Sequence, residues 1–309
     1  MKKTIFFIPV VILGWNANAQ QLPIYSQFYF NDYIINPAAT GLGDASMVQL
    51  GFRNQWTGFT GAPKTFSLGG YARLAKQHMG VGGMVFRDDT GGALSQTGVL
   101  INYAYQVQID KSNVLSLGLS GAINQYSFDG TQINVAQNDA ALNNVVKQVT
   151  PDLNFGIMYK FDNKLKIGIS ANQLLEARLS GLNEYDALNI ANNRLSRHYH
   201  ATISYRADVN TKIQVEPYAL MRSTFINPSQ FEVGARLIQK ESFMAGLGYR
   251  HKDAAMIMIG AFLNDFYFSY NYDLTLSDIK RYSSGSHELM VGYRFKSSSP
   301  RGGRIPMGR

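Results

Sequence analysis

The sequence predicts an all-β protein, a transmembrane antiparallel β-barrel of about fourteen strands preceded by an N-terminal periplasmic or plug segment. Three observations predict it. The chain starts like an exported protein, alternates with period two over most of its length, and sorts its links into short and long ones in turn.

Residues 1–19 read as a signal peptide. Met1-Lys2-Lys3 is a charged start, Thr4–Leu13 is apolar, and Ala17-Asn18-Ala19 is a cleavage site that makes Gln20 the mature terminus. The apolar run is too short to span a bilayer and contains Pro9. Cleavage near Ala19 followed by strand insertion places the chain in the cell outer membrane. Residues 20–44 form an arm crowded with aromatic side chains, with no single period and an interruption at Asn36-Pro37. Burying each large ring is worth about 1.5–3 kcal/mol, so such a segment needs a concave host. The expectation is that Tyr25, Phe28, Phe30, Tyr33, Asn36 and Pro37 plug the barrel from the periplasmic side; the plainer alternative is an arm lying on its surface.

From residue 45 to 296 the barrel follows. Charged residues make up 16% of the chain, low for a soluble domain, and no long apolar run offers a helical span. Leu115, Leu117, Leu119 and Ile123 alternate with Ser116, Gly118, Ser120 and Asn124. Leu165, Ile167 and Ile169 alternate likewise, as do Phe266, Phe268 and Tyr270. One greasy and one small or polar face is what a lipid-exposed wall requires, although a soluble sandwich alternates too. The strands are placed near 45–55, 63–74, 79–88, 94–107, 113–127, 150–161, 164–175, 196–206, 212–222, 228–239, 241–251, 255–263, 265–275 and 287–296. Short links such as Asp162-Asn163 and Gln239-Lys240 alternate with links that include the long Phe128–Val149 and Glu176–Leu195. Turns on one rim and loops on the other is the outer-membrane arrangement, with the loops outside. Aromatics near strand ends, among them Tyr105, Tyr126, Tyr205 and Tyr249, suit interfacial girdles. Residues 297–309 are a flexible basic tail.

The polar face carries Arg53, Glu216, Arg222, Glu232, Arg236, Arg250, Glu288 and Arg294. These side chains line either an anion-selective pore or a set of cross-lumen salt bridges that hold a plug. No catalytic, cofactor-binding or metal site emerges. His198 and His200 share a strand face but lack a third ligand in any nearby motif. Ser196 and Ser204 have no nucleophile elbow around them, and Asp88-Asp89-Thr90-Gly91-Gly92 reads as a hairpin link. The net charge of +8 is not organised into a basic face with interleaved aromatics, so nucleic acid is excluded as a partner.

Two motifs carry a resemblance. The first is Tyr25-Ser26-Gln27-Phe28, Asn31, Ile35-Asn36-Pro37-Ala38-Ala39 and Gly41. The second is Arg53-Asn54-Gln55-Trp56, Gly58-Phe59 and Gly61-Ala62-Pro63, and the chain closes on Gly292-Tyr293-Arg294-Phe295. Together they resemble the PorP/SprF family of outer-membrane proteins of the type IX secretion and gliding systems of Bacteroidetes-type bacteria. The resemblance implies a non-enzymatic outer-membrane component that contacts other type IX secretion components. It also implies a role in exporting or holding a secreted surface protein with a C-terminal sorting domain. The other reading is a passive porin or hydrophobic-solute transporter with an N-terminal hatch. In the loop Glu176–Leu195, Leu182, Tyr185 and Leu188 are too apolar for disorder. They are expected either to contact the surface protein or to pack as a lid.

Overall fold

Period-two alternation in the sequence becomes one continuous sheet. The computed structural model of the chain describes residues 22–43, 45–74, 78–133, 144–179, 194–240 and 242–296. The strands are β1 (Ala45–Asn54), β2 (Lys64–Leu74), β3 (Met79–Thr90), β4 (Leu94–Gln108) and β5 (Asn113–Asp129). They continue with β6 (Val145–Phe161), β7 (Leu165–Asn172), β8 (His198–Tyr205), β9 (Ala207–Asp208) and β10 (Ile213–Ser223). The last are β11 (Gln230–Gln239), β12 (Phe243–Arg250), β13 (Ala254–Leu263), β14 (Phe266–Thr275) and β15 (Ser286–Lys296). Each pairs antiparallel with its neighbours, and β9 prolongs β8 along the same partner, β10. The seam runs from Ala45 opposite Lys296 to Asn54 opposite His287. Fourteen strands therefore close a barrel, as the alternation predicts, with β9 as a short extension. Closure leaves no unpaired edge in the hydrocarbon, where each orphan amide costs several kcal/mol.

The two faces separate as expected. Ile101 is 70% exposed, Leu119 60% and Leu247 65%, whereas Asn102, Ser116 and Ser120, next to them on β4 and β5, are buried. Apolar side chains thus face lipid and polar ones face the lumen. Tyr126 departs from the girdle expected for it. Alternation along β5 turns it inward, where its hydroxyl meets the amides of Gln96 and Gln173 at 3.1 and 3.4 Å.

Strand limits differ in two places. β6 starts at Val145, earlier than predicted, because Val145 pairs with Asp129 and the β5–β6 ribbon runs past the last β7 pair, Phe155 opposite Ala171. β7 stops at Asn172 because Gln173 and Glu176 take left-handed backbone angles, φ 58 and 46. The links on the β1 N-terminal rim are all short, while the opposite rim carries the three-residue turns 91–93 and 251–253 as well as the longer links. Typical of the first rim is the turn before β5, where Asp110 accepts from the amides of Ser112 and Asn113. The described parts of the longer links, including 55–63, 130–133, 173–179, 194–197 and 276–285, share that opposite rim. The signal peptide and the basic tail lie outside the described residues.

The native chain contains no cysteine, so single cysteines report topology cleanly. With a membrane-impermeant maleimide, Ile226→Cys on the loop rim should label on intact cells. Lys111→Cys on the turn rim should label only after permeabilisation; the reverse pattern inverts the barrel.

Candidate functional site

The chain's own arm packs on the polar inner faces of the strands. It leaves β1 at the turn rim and crosses toward the loop rim. Lys160 Nζ donates to the Leu42 carbonyl at 3.0 Å and Ser116 Oγ to Ala38 at 2.7 Å. Higher up, Ser170 Oγ reaches the Ile35 carbonyl at 2.6 Å and Asn102 the Tyr33 carbonyl at 2.8 Å. Polar wall side chains thereby satisfy backbone groups that lie outside any ladder. Asn36-Pro37 makes the expected turn. The short helix α1 (Asp32–Ile35) stops because Asn36, preceding a proline, is extended at φ −140 and ψ 107. Asn36 Oδ1 then caps the 3₁₀ turn Pro37–Ala39 through the Ala38 amide, 2.9 Å. Its side-chain amide donates to the Ile157 and Ile169 carbonyls at 3.1 and 3.2 Å. This turn lies against bare wall. A Cβ on Gly118 would collide with the Ala38 backbone, and one on Gly156 with the Asn36 side chain.

At the other end the arm enters a buried ion network. Arg53 bridges Asp273 at 2.8 Å and Glu288 at 2.9 Å. Arg250 joins Glu232 at 3.0 Å, Asp253 at 3.2 Å and Asp273 at 3.4 Å, while Arg222 joins Glu232 at 3.0 Å. Ser26 sits at the middle. Its hydroxyl donates to Asp273 at 2.7 Å and accepts from Arg53 and Arg250, each at 2.9 Å. The amides of Ser26 and Gln27 both donate to the Glu288 carboxylate, at 2.8 and 3.1 Å. Gln27 also donates to the Glu288 carbonyl at 2.9 Å and accepts from Ser269.

The aromatic residues singled out in the arm pack at separate places on the inner wall. Tyr25 packs with Met84, Phe86 and Leu100, and Phe28 packs edge-on to Tyr218, centroids 5.4 Å apart, over Met256 and Met258. Phe30 stacks on Tyr267 at 4.8 Å, and Tyr33 meets Tyr71 at 5.4 Å. Pro37 is buried as well. Ser26, Gln27 and Asn31 belong to the first motif but were not among the residues expected in the plug, although small or amide side chains set among rings were a signal. Leu182, Tyr185 and Leu188 lie outside the described residues. His198 Nδ1 is 2.8 Å from the Ser196 carbonyl, and His200 is buried opposite Arg222.

The second motif shapes the loop rim above the network. Arg53 is the network's hub, Asn54 ends β1, and the Gln55 amide donates to the Pro63 carbonyl at 2.8 Å. Trp56 turns the chain at φ 52, its amide donating to Ser286 Oγ at 3.0 Å. Gly58 has φ 126, and a Cβ there would press on the Tyr282 carbonyl. Gly61 accepts from the Gly91 amide at 2.9 Å, tying this loop to the β3–β4 turn.

Comparison with known proteins places this architecture. Over residues 17–293 the chain matches the family described as Type IX secretion system membrane protein PorP/SprF. No curated protein sequence matches it. Among solved structures it is similar to a Pseudomonas aeruginosa FadL homologue, with TM-score 0.51, 10% identity, and coverage of 84% of this chain and 92% of that one. It is also similar to the CymD monoaromatic hydrocarbon channel, with TM-score 0.50, 11% identity, and coverage of 88% and 94%. At such identities the likeness is one of fold: an outer-membrane barrel.

Glu288→Gln removes one charge from a buried cluster while keeping its shape. It should destabilise the folded barrel by about 3–5 kcal/mol, the usual cost of leaving a buried partner unpaired. Urea titration of the heat-modifiable folded band measures this, and Glu288→Gln paired with Arg53→Met should recover part of the loss.

Proposed function

This chain belongs to the PorP/SprF family of type IX secretion system membrane proteins, and we propose that it acts there through protein contact, as a barrel plugged by its own arm. The observation that supports this most is the Ser26–Gln27 clamp, where two backbone amides and one hydroxyl are fixed by a buried network. A segment held so firmly suits a permanent filler better than a solute hatch that opens at each passage. The export signal is removed near Ala19, and the arm is drawn into the lumen as the strands close. The partners are other type IX secretion components on the turn rim and a secreted surface protein with a C-terminal sorting domain on the loop rim. Leu182, Tyr185 and Leu188 supply part of that outer contact.

Bilayer recording tests the plug. Wild-type protein should give no steady conductance, and Phe28→Ser with Phe30→Ser and Tyr33→Ser should give discrete openings while the barrel stays folded. A wild-type channel that passes solute with the arm in place would favour the transporter reading. Surface display tests the outer contact. With Leu182→Ser, Tyr185→Thr and Leu188→Ser, barrel level should hold and surface attachment of the partner protein should fall. Unchanged attachment would make the loop a lid.

A further inference from the structure

The arm fills the lumen unevenly. It lies tightly on the glycine-bearing walls of β5 and β6 and leaves a cavity of about 570 Å³ between itself and β7–β15. The cavity lies toward the turn rim, because Lys166, Gln214 and Phe262 all sit near the turn-rim ends of their strands. Above it, the ion network around Ser26 and the arm itself close the way to the loop rim.

Its lining is strongly basic. Among the described lining residues, Lys166, Arg206, Arg236, Lys240 and Arg294 face two acids, Asp32 and Glu216. Glu216 is shared by Arg206 and Arg236, and Asp32 lies 3.6 Å from Lys166. Lys240 pairs at its exposed edge with Asp208, 3.3 Å away. Arg294 has no carboxylate partner among the described residues and rests over the Phe262 ring at 5.6 Å. Neutralisation is therefore incomplete inside a concave, partly apolar wall, where fields are focused and anions gather.

The placement of the cations bears on the kind of anion. Lys166 is on β7 and Arg294 on β15, half the circumference apart in the closed sheet. Adjacent strands stand about 4.8 Å apart, so one compact anion cannot touch both, and the nearer pair, Arg206 and Arg236, already shares the Glu216 carboxylate. An extended chain carrying several carboxylates reaches them together, and Ile35, Ile238 and Met244 in the lining offer apolar surface to its side chains.

We propose that this turn-rim vestibule is a docking site for an acidic peptide segment of a periplasmic protein, an inference that rests on the protein-contact reading above. The site is blind: its ligand enters and leaves on the turn side and does not cross the membrane.

The test uses the full-length barrel in nanodiscs and a fluorescent Asp/Ser-repeat peptide, with an Asn/Ser repeat as the neutral probe. The acidic peptide should bind and the neutral one should not. Arg294→Gln combined with Lys240→Gln should weaken binding about tenfold, while Lys111→Gln on the same rim should not. Heat-modifiable migration checks that each variant is folded, and a second pair, Arg294→Lys with Lys240→Arg, should keep the affinity. Equal binding by the Gln variants, binding of the neutral peptide, or displacement by inorganic phosphate beyond that by chloride of equal ionic strength would overturn the proposal. The two readings fail separately. Loss of peptide binding in the assay leaves the barrel's requirement for surface display untouched, whereas display that proceeds without the barrel removes the protein-contact reading itself.

Discussion

Charge inside a closed lumen must be paired, and the structure depends on that constraint. Arg53 and Arg250 are buried in the upper lumen with Glu232, Asp273 and Glu288, and the half-buried Arg222 and Asp253 extend the network. Desolvation of each ion costs several kcal/mol, recovered only when geometry is good and remaining lone pairs are met. Ser26 and Gln27 meet them, giving two amides to Glu288 and a hydroxyl to Asp273. The network therefore asks for the arm as much as the arm asks for a host.

The same contacts bear on closure. Arg53 belongs to β1, Glu288 to β15 and Asp273 to β14, so the clamp bridges the seam where first and last strands meet. At its other end the arm leans on β5, β6 and β7 through Ser116, the Ile157 carbonyl and Ser170. One segment thus touches opposite walls. An arm packed in this way leaves the two rims as the surfaces open to partners, which is the ground on which protein contact and a blind vestibule are proposed.

Much of this was legible in the residues, for identifiable reasons. Strands such as β5 announce themselves because Leu117, Leu119 and Ile123 must face lipid while Ser116 and Ser120 face inward, and period two records that choice. The arm was legible because rings at Tyr25, Phe28 and Tyr33 need burial. What escaped were features set by partners distant in sequence. The pairing of Val145 with Asp129 lengthens β6, and only the ribbon geometry shows it. Tyr126 carries the composition of a girdle residue, yet strand parity turns it inward. The role of Ser26 depends on Arg53, Asp273 and Glu288, which nothing local to Ser26 reveals. The vestibule escaped for the same reason, since its five cations come from four separate stretches of the chain.

The passage of the arm through the lumen carries the whole account, and site-specific photocrosslinking tests it most directly. With Phe28 replaced by p-benzoylphenylalanine, irradiation of the folded barrel in native outer membranes should join the arm to peptides containing Met256, Met258 or Tyr218, the side chains packed on Phe28. Mass spectrometry of the digested product locates the adduct. Crosslinks confined to lipid or to other proteins, with none to those three wall residues, would contradict an arm inside the barrel.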